Sequence, residues 1–357
     1  MANIMVNETC NLRCPYCFAS EFVNQDRKEM TLDAFKEALK FILGKNYRVQ
    51  VGIIGGEPTL YSHINEALEI AMADLHTYPV SLYTNAVHLD KIRPELLECT
   101  KFRMLVNCNS PEDMGATLYE KMRKNIRAFV DDHIGEGRFK LSFNLYKPDF
   151  DYRYAIDLVK EFQCDTIRMS ISVPSRNNLK CGDDALTHFR KMKPIVLEFT
   201  AELCALGVIP GFDCNFMPQC VLTEDEKRKL SNIKNFFIER MDRDQHFWER
   251  SIISGIQSCS PVVDILPDLT SVRCFGLSEY TKVNIQDFKN IEELEKYYTD
   301  TIDKVSRAFY FSEECKECFM RKNGKCTAGC LTYKMEQLLK YREGAGGAVV
   351  PKNSTIC

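Results

Sequence analysis

Six short β-rich runs alternate with six helical patterns through the first 206 residues, which leaves few folds open to this chain. The strand candidates are Asn3–Asn7, Val49–Ile54, Val80–Thr84, Phe102–Asn107, Lys140–Leu145 and Thr166–Ser172. Between and after them, Leu32–Leu43, Ile64–Leu75, Lys91–Glu98, Thr117–Asp131, Tyr152–Phe162 and Asp184–Leu206 repeat apolar residues at the spacing of amphipathic helices. Strands that each feed a helix pair in parallel through crossovers, which predicts an α/β fold. In barrels of this kind function collects at the carboxyl ends of the strands.

After Gly207 the alternation fades. A capping box, Thr223 with Glu226, opens one more helix, and the remaining sequence is irregular and rich in cysteine. At 357 residues the chain exceeds one ordinary domain, and we divide it into 1–207, a bridging segment and helix at 208–255, and a cysteine-rich unit at 256–357. The formal charge of −3 shows no basic excess, so nucleic acid is not expected as a partner. No apolar run reaches the ~20 residues of a membrane span, and the first residues, Met-Ala-Asn-Ile-Met-Val, lack an export signal. The expectation is a cytoplasmic protein without a membrane partner. Seventeen cysteines in a reducing compartment read as metal ligands more readily than as bridges. The six histidines are scattered without ligand spacing.

Three cysteines follow the first strand candidate as Cys10-x3-Cys14-x2-Cys17, with Tyr16 before the last. Thiolates at this spacing can hold three irons of a [4Fe–4S] cube and leave the fourth iron open, whereas zinc wants a fourth protein ligand that is missing nearby. Gly55-Gly56-Glu57-Pro58 follows the second strand, where glycines allow close backbone approach. Together these motifs resemble the radical S-adenosylmethionine (SAM) superfamily. The resemblance implies a partial (β/α)6 TIM-like barrel, a cluster on Cys10, Cys14 and Cys17, and SAM chelating the open iron near Gly55, Gly56 and Glu57. It also makes Tyr16, Asn85, Ser110, Asn144 and Arg168 candidates for contact with SAM at the barrel mouth.

Cys259-x14-Cys274 precedes Cys315-x2-Cys318-x7-Cys326-x3-Cys330. The arrangement resembles the cysteine-rich SPASM/twitch extension of peptide-modifying radical SAM enzymes, which carries one or two auxiliary [4Fe–4S] clusters. Two departures stand out: the third spacing is seven rather than five, and the glycine expected before Cys274 is absent. Carried over, the family's interleaved ligation gives a first cluster on Cys259, Cys274 and Cys330, with Cys214, Cys220 or an open iron completing it. The second would use Cys315, Cys318, Cys326 and Cys357. The competing account is a structural zinc ribbon.

The resemblance implies reductive cleavage of SAM to a 5′-deoxyadenosyl radical and hydrogen abstraction from a peptide or protein substrate, giving a crosslink, an epimerised residue or an oxidation. Its implied partners are an electron donor such as flavodoxin or ferredoxin and, because Met1–Asn7 leave no room for a fused leader-binding domain, a separate leader-binding protein or direct core recognition. Rival readings are a small-molecule dehydrogenase or synthase and an anaerobic sulfatase-maturating enzyme. The latter needs an aspartate where Phe275 follows Cys274.

Overall fold

The structure, a computed structural model, describes residues 2–43, 48–132, 137–172, 184–212, 217–238, 259, 262–327 and 330–344. Cys214 and Cys357 lie outside them. Seven parallel strands run in sequence order: β1 (Ala2–Met5), β2 (Val49–Ile54), β3 (Thr77–Thr84), β4 (Phe102–Asn107), β5 (Phe139–Leu145), β6 (Thr166–Ile171) and β7 (Ile209–Phe212). The sheet continues on the other side of β1 through parallel β8 (Val263–Ile265), then antiparallel β9 (Thr270–Val272) and β10 (Val283–Asn284). The expected α/β architecture, a TIM-like partial barrel with a cysteine-rich carboxy-terminal region, is the one observed.

Helices α1 (Leu32–Leu43) and α2 (Ile64–Ala73) cover the outer face of the first strands. Helix α1 buries Phe35, Ala38, Leu39 and Ile42. These are the i, i+3, i+4, i+7 positions of one stripe, and they pack in one core with Ile4, Ile53 and Leu82. Phe35, Leu39 and Ile42 each contribute about 1.5–3 kcal/mol by burial. Helices α3 (Ala116–Asp132), α4 (Arg153–Glu161) and α5 (Ala185–Ala205) continue the outer layer. Asp184 caps α5 by accepting the Thr187 N–H at 2.8 Å, as its side-chain chemistry favours.

The expected helix Lys91–Glu98 is instead two single turns, Leu89–Lys91 and Pro94–Leu97. Pro94 starts the second turn and holds Arg93 extended, so the two do not merge. β7 pairs with β6, and β8 to β10 share the barrel's sheet. Three-residue strands such as β8 and β9 carry too little pattern to be recognised from sequence.

Candidate functional site

The end of β1 leads into the cysteine loop, and the end of β2 holds that loop in place. The Gly56 N–H donates to the Asn7 carbonyl and the Glu57 N–H to the Thr9 carbonyl, both at 2.8 Å. Asn7 Nδ2 donates back to the Glu57 carbonyl at 3.0 Å. A Cβ on Gly56 would lie 2.4 Å from the Thr9 carbonyl oxygen, and one on Gly55 2.1 Å from Asn7 Oδ1. The glycines are thus needed for the approach of two backbones.

Cys10, Cys14 and Cys17 lie within electrostatic reach of one another. Burial pushes the Cys10 thiol up to about 12 and raises Cys14 and Cys17. Donors oppose it: the Leu12 N–H points at Cys10 Sγ (3.4 Å) and Asn109 Nδ2 at Cys14 Sγ (3.3 Å), with the Tyr16 hydroxyl also favouring the Cys14 thiolate and the Ala19 N–H that of Cys17. Donors aimed at sulfur favour the thiolate, the form that iron requires. Among the described residues no three His, Cys, Asp or Glu side chains close on a single metal ion; in a cube each thiolate takes its own iron. The loop therefore fits the cluster by its donor chemistry.

Glu57 is fully used inside the protein. Its Oε1 accepts from the Thr59 N–H (3.1 Å), the Thr59 hydroxyl (2.6 Å) and the Thr84 hydroxyl (2.6 Å), and its Oε2 from the Asn85 N–H (2.7 Å). Burial raises its pKa against these four bonds. It positions the mouth by joining the end of β2 to the end of β3. Asn85 donates to Asn11 Oδ1 at 2.9 Å and accepts the Val87 N–H at 3.1 Å. Ser110 accepts the Asp113 N–H at 3.1 Å and so caps a turn, Pro111–Met114.

Arg168 donates to Ser142 Oγ at 2.8 Å and to Asn144 Oδ1 at 3.2 Å, and Ser170 Oγ donates to the same Asn144 oxygen at 2.6 Å. These residues form one polar group on neighbouring β5 and β6. The Tyr16 hydroxyl donates to Asn109 Oδ1, and its ring meets Tyr146 at 5.6 Å between centroids. Asn109, which touches both Tyr16 and Cys14, was not singled out from the sequence. Its only signal is the polar run that follows β4.

The carboxy-terminal thiols fall into two groups. Cys274 is affected by Cys330 and Cys259 after burial, its largest influence, and Cys330 is pushed up to about 11 by burial and then by Cys259. Gly276 lets this turn close on Thr332, whose hydroxyl a Cβ would meet at 2.3 Å. Thr332 in turn lies 3.1 Å from Cys330 Sγ through its hydroxyl. Arg273, with no exposed surface, places Nη1 3.2 Å from Cys259 Sγ and Nη2 2.7 Å from Asp303. The second group is Cys315, Cys318 and Cys326, joined by Cys220. The sequence offered Cys220 to the first group; the structure brings it to the second.

The segment after Cys17 meets the turn after Cys274. Phe275, beside Cys274, contacts Phe18 at 5.2 Å and Phe22 at 5.6 Å, and Ser278 donates to Glu21 at 2.7 Å. Met5, Ile54, Leu266 and Val272 pack with Phe275 as an apolar floor. The cysteine loop and the first auxiliary group thus stand on either side of one aromatic contact. All 14 described cysteines are free thiols, and no helix among the described residues is long and apolar enough to cross a membrane.

Residues 4–135 match the family model described as the Radical SAM superfamily. Such a domain binds a [4Fe–4S] cluster and SAM. The GTP 3′,8-cyclase of Chlorobaculum tepidum is 33% identical over 95 residues, which are 27% of this chain and 28% of that protein. The chain spans about a third or less of the length of the first curated relatives it matches.

Two solved structures resemble nearly the whole chain. Streptococcus suis SuiB bound to precursor peptide SuiA superposes with a TM-score of 0.59 at 17% identity, covering 94% of this chain and 72% of that one. anSMEcpe with bound AdoMet and Cp18Cys peptide does so with a TM-score of 0.59 at 17% identity, covering 97% and 96%. These likenesses establish the fold.

Proposed function

We propose that this protein is a radical SAM enzyme that modifies a peptide or protein. The observation that carries the reading is the pairing of the Cys10–Cys17 loop, at the strand ends, with a second thiol group across the Phe18–Phe275 contact. When bound, the cluster and SAM supply a 5′-deoxyadenosyl radical that takes a hydrogen atom from the substrate. Cys10, Cys14 and Cys17 hold that cluster. Gly55 and Gly56 bring the β2 end against the loop, Glu57 fixes the mouth, and the Asn144–Arg168 group offers polar contacts to SAM. The apolar floor excludes water beneath the reacting centre, where selectivity is geometric. Cys259, Cys274 and Cys330 would hold an auxiliary cluster that accepts an electron or binds substrate.

Two structural neighbours carry peptides, SuiA on SuiB and Cp18Cys on anSMEcpe, which favours a peptide over a small molecule here. Sulfatase maturation ranks lower. Phe275 stands where that reaction needs a carboxylate, and it is buried in the aromatic contact. The curated match to a nucleotide cyclase covers only 27% of the chain and leaves the substrate open. We further place the protein in the cytoplasm, where its free thiols stay reduced, with flavodoxin or ferredoxin as electron donor and a separate leader-binding protein or direct core recognition.

The test is anaerobic. Reconstituted, reduced protein with SAM should release 5′-deoxyadenosine, and a Cys10/Cys14/Cys17→Ala variant should release none. No release after full reconstitution would remove the enzymatic reading, and release without any mass change in candidate precursor peptides would turn it towards small molecules.

A further inference from the structure

The family pattern would complete the second auxiliary set with the last cysteine of the chain, Cys357. The described structure sorts the thiols differently. Cys220 sits in the turn Gln219–Val221, which packs against α5. From the same face of α5, Arg190 donates to both carboxylate oxygens of Glu314, at 2.6 and 2.7 Å, and Glu314 is the neighbour of Cys315. Arg190 also lies within electrostatic reach of Cys220.

About one turn further along α5, Lys193 meets Glu226 at 3.1 Å. Glu226 in turn accepts the Thr223 N–H at 2.7 Å, closing the capping box three residues beyond Cys220. Two adjacent cations on one helix therefore hold the Cys220 segment and the Cys315 segment side by side.

The charges agree with that geometry. After burial, the leading influence on Cys315 is Cys220, ahead of Cys318 and Cys326. Cys220 in turn responds to Cys326 and Cys318, while Cys274 responds to Cys330 and Cys259. A buried cation completes the picture. Lys334 is 2% exposed, lies 4.4 Å from the Phe311 ring centroid and donates to the Ser306 carbonyl at 2.6 Å. No carboxylate among the described residues pairs with it; burial and the Arg321 guanidinium lower its pKa to about 8, and Cys315 and Cys326 act in the opposite direction. An ammonium withdrawn from water needs a compensating anion. A cluster held by four thiolates carries net negative charge and would supply one.

We propose that Cys220, Cys315, Cys318 and Cys326 together hold the second auxiliary [4Fe–4S] cluster, with Cys220 in the place the family pattern gives to a carboxy-terminal cysteine. The assignment rests on the reading above that the extension carries iron–sulfur clusters. Four protein thiolates complete the coordination, so this cluster conducts electrons and binds no substrate. An open iron for a substrate thiolate is then left to the other group.

Iron and sulfide are counted per chain after anaerobic reconstitution of the full protein and its Cys220→Ser, Cys357→Ser and Cys315→Ser variants. The expectation is about twelve irons in the parent and Cys357→Ser proteins and about eight in Cys220→Ser and Cys315→Ser. Loss of four irons in Cys357→Ser but not in Cys220→Ser overturns the assignment. So does one zinc in place of those irons. Unchanged iron in Cys315→Ser would show instead that this side of the extension holds no cluster, which is a failure of the underlying reading. Should Cys220→Ser not fold, alkylation of the parent decides. Cys220 is exposed on the bare chain, so it should resist iodoacetamide when the clusters are present and react once they are removed. Labelling in both states overturns the proposal.

Discussion

Asn109 donates its side-chain amide to the Cys14 sulfur across 3.3 Å, joining the end of β4 to a loop 95 residues earlier in the chain. Donors to cluster sulfur stabilise the more negative, reduced state. Replacing Asn109 by Ala should therefore lower the reduction potential of the Cys10/Cys14/Cys17 cluster by ~30–60 mV, the one-electron equivalent of about 1 kcal/mol. A potentiometric titration followed by electron paramagnetic resonance measures this directly. An unchanged potential would mean that the contact is only steric.

Asp264 faces Asn3 across the β1–β8 pairing, accepting from Asn3 Nδ2 at 2.7 Å, while Asn3 Oδ1 has no donor. A proton on the carboxyl would provide that donor, and burial pushes Asp264 up to about 7. The folded chain thus binds this proton more tightly than the unfolded one, where the carboxyl titrates near about 3.9. The resulting stability is complete below about pH 4 and is lost as the pH rises through about 7, a difference of about 4 kcal/mol. Melting temperatures from pH 5 to 9 should fall more steeply for the parent than for Asp264→Asn, which keeps a donor at any pH. Parallel curves would exclude Asp264 as the source.

Gly56→Ala should push the cysteine loop away from β2. The added methyl would meet the Thr9 carbonyl oxygen at 2.4 Å and the Glu8 carbonyl oxygen at 2.8 Å, and neither belongs to a flexible side chain. The expected cost is about 1–3 kcal/mol, together with incomplete loading of the first cluster. Both are read from the melting curve and the iron content, and normal iron at normal stability would show that the loop adjusts freely.

Arg273→Met removes a guanidinium with no exposed surface and strands Asp303, whose side chain is 16% exposed. Breaking one side of such a pair should destabilise the protein by about 3–5 kcal/mol. Adding Asp303→Asn should recover part of that loss, and a double-mutant cycle without coupling would refute the pairing.

The parallel strands and their helices were legible in the sequence because each carries a full period of burial, as Phe35 to Ile42 do. The Cys10–Cys17 loop and the glycines before Glu57 were legible because their spacing is local. What escaped depends on distant partners. Nothing near Glu57 tells that Thr84 and Asn85 will use its carboxylate. Nothing in the spacing of Cys220 tells that α5 will hold it beside Glu314 and Cys315. The strands β8 to β10 are too short to show a pattern, and the sorting of thiols into groups is a property of the fold they build.

Placing β8 beside β1 has a consequence for synthesis. Ala2 pairs with Val51 on one side and with Val263 on the other, so β1, made before the other strands of this sheet, is among the last of them to be completed. Until residue 263 emerges, β1 presents an open edge of unpaired backbone groups, the kind of surface on which nascent chains associate wrongly. The barrel's first strand thus waits for the extension, and the order of folding makes the carboxy-terminal region a condition for the amino-terminal one.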